Sequence, residues 1–369
     1  MNTSSGTAPP AIRSRRRATT QAFAIGGIGG AVFAWLQLPL AWMIGSLAFT
    51  MAAAIGGMRL DVPKRLRTLM IMVLGVMLGS AFTPAILGHL DDWVVTLSAL
   101  VAYIGASLAA GLAYLRRVAG YDRVTAFFTA APGGFSEMVM AGGALGGDER
   151  LISLAHSLRI TIVVMAIPFW FQSFAGYEPA ARSGVGPAFA GLPWRDALML
   201  AACALGALPA RRLGLPAPMM FGPMIASAGI HLAGLTESKP PGVVVAAAMV
   251  VIGASIGARF VGVPIRVLGR SFAVAGGLTA LLLAVTVAFA AGLHGLTGLP
   301  VSSLVLAYAP GGFVEMSLVS LALGLDPAFV STHHMARIFL VIALVPLSFR
   351  LLQRWWRTPS ARDSGPADP

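Results

Sequence analysis

Apolar stretches separated by short polar interruptions run the length of the chain, near 21–37, 41–58, 67–87, 94–115, 123–146 and 151–173, then near 198–210, 216–235, 243–261, 271–292, 301–325 and 328–351. A helix needs roughly 20 apolar residues to cross a bilayer. The pattern therefore predicts an all-α polytopic membrane protein. The stretches also fall into two matching series. Ala131-Pro132-Gly133-Gly134-Phe135-Ser136-Glu137-Met138 returns 178 positions later as Ala309-Pro310-Gly311-Gly312-Phe313-Val314-Glu315-Met316. At the same offset Gly75, Gly79 and Phe82 answer to Gly253, Gly257 and Phe260. Downstream, Asp148, Ser153, His156, Arg159 and Pro168 answer to Asp326, Ser331, His334, Arg337 and Pro346. Two copies of one unit follow. The organisation read from them is a cytoplasmic basic tail at 1–19, membrane repeat one at 21–173, a polar linker at 174–197, membrane repeat two at 198–351 and a cytoplasmic tail at 352–369.

Composition sharpens this picture. Hydrophobic residues make up 57% and charged residues 11%, with mean hydropathy +0.81; soluble domains carry about 25% charged residues. The net charge of +12 is mostly arginine at segment ends and in the N-terminal tail. Its reading is topological, basic loops held in the cytoplasm, with no direct nucleic-acid partner. Arg15-Arg16-Arg17 precede an apolar run that continues into a second one, which reads as an uncleaved first span. The single cysteine, Cys203, excludes an internal disulfide framework and a cysteine metal cluster.

Charge also sets orientation. Basic loops follow the second and fourth segments of repeat one (Arg59, Lys64, Arg65; Arg116, Arg117, Arg123) but the first and third of repeat two (Arg211, Arg212; Arg266, Arg270). Asp91 and Asp92 follow the third segment of repeat one. Equivalent loops carry opposite signatures, so the repeats are expected to be inverted. Inversion requires an odd number of crossings per repeat. The fifth segment, which holds the Pro-Gly-Gly break, is the one expected not to cross. That gives about ten transmembrane helices plus two broken or re-entrant segments, with both termini cytoplasmic. A broken helix that does cross, with another segment failing to span, satisfies the same parity. Gly75-x-x-x-Gly79 and Gly253-x-x-x-Gly257 predict close helix packing.

The candidate chemistry lies in the repeated motif. Pro132, Gly133 and Gly134, like Pro310, Gly311 and Gly312, remove a backbone donor and admit torsions that a helix forbids. Discontinuous helices at matching positions of inverted repeats point to a transporter's substrate and ion site; a structural kink is the simpler alternative. Glu137 and Glu315 are the acids that lie well inside apolar segments, where a carboxylate is costly. Each is expected in the first turns of the helix after the break, either exchanging H⁺ or Na⁺ or bridging to Arg159 or Arg337. His156 and His334 precede those arginines by three positions and share their helix face. A guanidinium there offers a hold on an anionic solute, and an imidazole offers a group that titrates near neutrality. Lipid-facing arginines are the alternative. Asp148 and Asp326 read as helix caps, and Arg259 as an anchor on the inner face. No catalytic residue, metal site or cofactor is implied.

The doubled Pro-Gly-Gly-Phe-x-Glu-Met core, with Leu-Pro-x-x-x-x-x-Gly before it and a His-x-x-Arg helix after it, resembles the bacterial membrane AbrB duplication family over residues 21 to 351. The resemblance implies a multi-pass protein of the bacterial inner membrane, associated with regulation of gene expression and distinct from the soluble DNA-binding regulator of the same name. The family also carries an ammonia monooxygenase label. That chemistry asks for a metal in histidine and carboxylate clusters, a pattern not visible in the sequence. At the level of fold alone, the arrangement looks like cation/proton antiporters and bile-acid symporters. The expectation is a secondary transporter or exporter-like protein in the lipid bilayer, moving a small solute with H⁺ or Na⁺. The alternative is a membrane sensor that affects gene expression indirectly. Neither reading fixes substrate, coupling ion or oligomeric state.

Overall fold

The protein is described by a computed structural model over residues 12–174 and 191–357. The outer parts of both tails and most of the 174–197 linker lie outside the described residues. The first series of helices is α1 (Ile12–Trp35), α2 (Ala41–Ile55), α3 (Lys64–Gly79), α4 (Leu90–Arg117), α5 (Arg123–Ala130), α6 (Phe135–Ala144) and α7 (Glu149–Phe174). The second is α8 (Trp194–Cys203), α9 (Ala207–Arg212), α10 (Pro218–Leu232), α11 (Gly242–Gly257), α12 (Ile265–Thr297), α13 (Val301–Tyr308), α14 (Phe313–Ala322) and α15 (Pro327–Arg357). With α8 and α9 together in the place of α1, the two series match element for element. α3, α5, α6 and α7 start at Lys64, Arg123, Phe135 and Glu149; 178 positions on, α11, α13, α14 and α15 start at Gly242, Val301, Phe313 and Pro327.

Among the described residues, α4, α7, α12, α15 and the stretch Gly242–Phe260 are long and apolar enough to cross a membrane. α1 has 24 residues but is rich in arginine at its start, and other helices are short: α2 and α10 have 15 residues, and α3 has 16. At 1.5 Å per residue such helices reach only about 23 Å. Two segment boundaries differ from the hydrophobic pattern. α1 begins at Ile12, inside the stretch expected to be tail, because arginine and alanine are good helix formers. The apolar stretch 67–87 stops being helical at Gly79 and resumes as a 3-10 turn at Pro84, whose missing N–H cannot continue a helix.

The stretches 123–146 and 301–325 each split in two. Ala131 (φ −55, ψ 128) and Ala309 (φ −50, ψ 139) leave the helical region because the following proline crowds them out of it. In repeat one the two halves fold back on each other. Asp148 N–H donates to Thr125 Oγ1 at 2.8 Å, and a Cβ on Gly147 would come within 3.2 Å of Val124. The start of α5 and the end of α6 are thus side by side, with the break at the tip of a hairpin. Asp122 caps α5, its carboxylate accepting from Val124 and Thr125 N–H at 2.9 Å each.

The repeats hold each other reciprocally: α2 packs on α11 and α3 on α10. Backbone contact makes this possible. A Cβ on Gly75 would sit 2.7 Å from the Met220 carbonyl, and one on Gly257 would sit 2.8 Å from that of Leu47. Gly79 faces the Met224 carbonyl and Gly253 that of Met43 in the same way. Without hydrophobic drive between helices in lipid, such close approach supplies the packing energy. One large core, from Leu40 to Phe349, then runs through α2–α7 and α11–α15.

Candidate functional site

The site is built where the two broken hairpins meet the last helix of each repeat. In repeat one, His156 of α7 reaches α5, its Nε2 lying 2.9 Å from the Phe128 carbonyl. Its Nδ1 lies 2.8 Å from Arg159 Nη2. Repeat two repeats this, with His334 Nε2 2.9 Å from the Leu306 carbonyl and Nδ1 2.8 Å from Arg337 Nη2. A carbonyl only accepts and a guanidinium only donates. Both histidines are therefore neutral here, with the proton on Nε2. Each is a link between a half-helix and an arginine, with both ring nitrogens occupied. The face expected from the spacing of three is present, and it turns inward: all four side chains are at most 4% exposed.

The arginines do not bridge to the acids. Arg337 instead donates to backbone freed by the break, from Nη1 to Ala309 O at 2.6 Å and from Nη2 to Gly311 O at 3.0 Å. Broken backbone at membrane depth needs such partners. Among the described residues Glu137 and Glu315 form no ion pair; the pair found is Arg15–Asp61 at 2.8 Å, between exposed side chains. Both glutamates occupy the third position of their half-helices, after N-cap residues Gly134 and Gly312. Each carboxylate folds back over its glycine, so close that a Cβ there would collide with Oε2. That is the direction a capping-box acid takes, and the positive helix end favours its charge. Pro132 and Pro310 are buried at the hairpin tips, while Gly133 and Gly311 pack over Met138 and Met316.

The two halves come together. A Cβ on Gly133 would sit 2.8 Å from Val341 of α15, and Phe127 and Phe128 pack on Phe349 at 5.0 and 5.2 Å between ring centres. Arg159 and Arg337 are near enough for their charges to interact, with Tyr103 of α4 in reach of both. Arg259 packs across the repeats: its guanidinium lies 4.4 Å over the ring of Phe135, in the first motif, and within electrostatic reach of Arg67 and Glu315. Its counterpart position in repeat one is Ala81, so the repeat could not flag this contact.

A buried polar cluster also escaped the sequence reading. His333 Nδ1 donates to Phe329 O at 2.8 Å, and its Nε2 lies 2.9 Å from Thr96 Oγ1. Tyr308 O–H donates to the Thr96 carbonyl, and Tyr103 pairs with Thr286 at 3.0 Å. These contacts tie α15, α13 and α12 to α4. Hydroxylated aromatics inside apolar segments were the available signal.

Asp148 and Asp326 are caps: each carboxylate takes two backbone N–H groups, at 2.9 and 3.0 Å and at 2.8 and 3.1 Å. At the base of the first hairpin an open cleft of about 550 Å³ is lined by Tyr121, Asp122, Asp148, Arg266 and Arg270. Among the described residues no group of three or more His, Cys, Asp or Glu is placed to hold a metal ion.

Comparison with known proteins gives the family. A family described as Transition state regulatory protein AbrB matches residues 5–353. A Bacillus subtilis protein named "Uncharacterized protein YhjN" is 30% identical over 365 aligned residues, covering 89% of this chain and 91% of the relative. An Escherichia coli protein named "Putative regulator AbrB" is 25% identical over 329 residues, covering 88% and 93%.

Proposed function

The chain belongs to the AbrB family just described, and on that premise we propose that it is a secondary transporter of the bacterial inner membrane. It moves a small solute, bound between the two Pro-Gly-Gly breaks, with H⁺ or Na⁺ through Glu137 and Glu315. The observation that carries this reading is a pair of broken segments, each with a carboxylate at the N-terminal end of its second half-helix, the first break packed on α15 of repeat two and the buried Arg159 and Arg337 within electrostatic reach of each other. Discontinuous helices place dipole ends and freed backbone groups where a solute and an ion can bind.

The reciprocal packing of α2 on α11 and α3 on α10 is what a two-fold axis between the repeats produces. The opposite charge signatures of equivalent loops favour an axis in the membrane plane, hence inversion. With each hairpin counted as not crossing, every repeat crosses five times. The sum is ten helices, with both termini in the cytoplasm.

The test is proton movement in proteoliposomes when small carboxylates and amino acids are added, for wild type and for Glu137→Gln/Glu315→Gln. Glutamine keeps the capping geometry and removes the titratable charge. Solute-dependent proton movement in wild type that disappears in the double variant supports coupling. Proton movement that survives in the double variant rules these carboxylates out as the coupling groups. The name of the Escherichia coli relative favours a second reading, a membrane sensor acting indirectly on gene expression. Solute binding with no flux at all supports that reading instead.

A further inference from the structure

The two halves of the site are near-copies in backbone and differ in how their arginines are satisfied. Arg337 spends its nitrogens on His334, Ala309 O and Gly311 O, leaving Nε alone without an acceptor. Arg159, 3% exposed, donates only to His156. Its Nε and Nη1 are both buried with no partner. Three N–H donors of a permanently charged group thus point at nothing in the protein. Repeat one departs from repeat two in a second way. The buried hydroxyls of Ser107, Thr129 and Thr161 also lack partners. The corresponding positions of repeat two are Val285, Ala307 and Phe339. Most of the unpaired buried polar atoms lie in repeat one, on α4, α5 and α7, with α5 packed on both α4 and α7; outside it stand Arg337 Nε and Arg259 Nη1. A buried donor without an acceptor keeps its desolvation cost, which is larger when it is charged. Folding alone gives no reason to keep several of them in one repeat.

Resting on the reading of a solute site between the breaks, we infer that this site is asymmetric: of the two repeated arginines, Arg159 receives the anionic group of the solute, a carboxylate, while Arg337 is a permanent strut of the second break. A guanidinium with its donors free suits a planar carboxylate held by two parallel bonds.

The experiment uses the full-length protein purified in detergent, with thermal unfolding read at constant ionic strength against sodium acetate or sodium benzoate and, as control, ethylammonium chloride. Wild type is expected to rise in midpoint with the carboxylates and not with the ammonium salt. Arg159→Gln is expected to unfold no lower than wild type without ligand, since it removes unpaired buried donors, and to need about ten- to a hundredfold more carboxylate for the same shift. Arg159→Lys, which keeps charge without the fork, falls between. Arg337→Gln is expected to lower the ligand-free midpoint. Arg337→Lys keeps a donor for the Ala309 carbonyl, and should fold and retain the carboxylate response.

No carboxylate shift in wild type, an undiminished shift in Arg159→Gln, or a ligand-free loss in Arg159→Gln as large as in Arg337→Gln overturns the assignment. Nothing here depends on flux. A failed proton-coupling assay with this response intact removes the transporter reading and leaves the anion site standing.

Discussion

Arg159 and Arg337 occupy the same place in the repeat, three residues after a histidine, and the structure gives them different work. The difference lies in which nitrogens find a carbonyl: those of Arg337 reach Ala309 O and Gly311 O, those of Arg159 reach none. Asp122 shows the same sensitivity outside the membrane segments. Burial pushes its carboxyl up, but hydrogen bonds from the Thr125 side chain and from backbone N–H groups outweigh that and hold it below the usual range. A carboxyl held low stabilises the fold at pH above its unfolded value, about 3.9, and that contribution fades as pH falls through the folded value. Asp122→Ala should therefore cost about 1 kcal/mol near neutrality. The deficit should shrink as the pH of a thermal-unfolding series drops below about 4. A deficit independent of pH would mean that the cap is not what Asp122 supplies.

Among the elements, the close-packed pairs α2–α11 and α3–α10 decide the shape of the molecule. Gly79→Val would drive a side chain into the Met224 carbonyl and Ser227 of α10. Overpacking of this kind costs about 1–3 kcal/mol, measurable as a lowered unfolding midpoint in detergent. Gly276 lies within α12 with open space around its Cα. Gly276→Ala should be neutral or stabilising by up to about 1 kcal/mol. Equal effects at the two positions would show that helix propensity, and not backbone approach, governs these helices. The glycine spacing was legible as a packing stripe. Its partner was not, because the contact runs between repeats and no periodicity within one helix names the helix it meets.

For the molecule as a whole, the hairpins change what a count of apolar segments means. Each of 123–146 and 301–325 is long enough to cross once, yet splits into two half-helices at its proline. Reporters fused after Asp92 and within 174–197 should both report the outer face, and a reporter at the C-terminus the cytoplasm. A cytoplasmic signal from the linker would contradict inversion and require a different crossing count.

Helical character, duplication, family and the existence of two broken segments were determined by sequence alone, because apolar length, prolines and a repeated motif are local properties that survive without coordinates. The tertiary structure decided the rest. It showed the first break at the tip of a hairpin, the histidines as neutral links, Arg337 on carbonyls in place of an acid, and Arg259 over the ring of Phe135. Each of these depends on which groups a fold brings within about 3 Å of one another, the distance at which hydrogen bonds form. Two copies of one motif can look alike in sequence while one satisfies its arginine far less than the other.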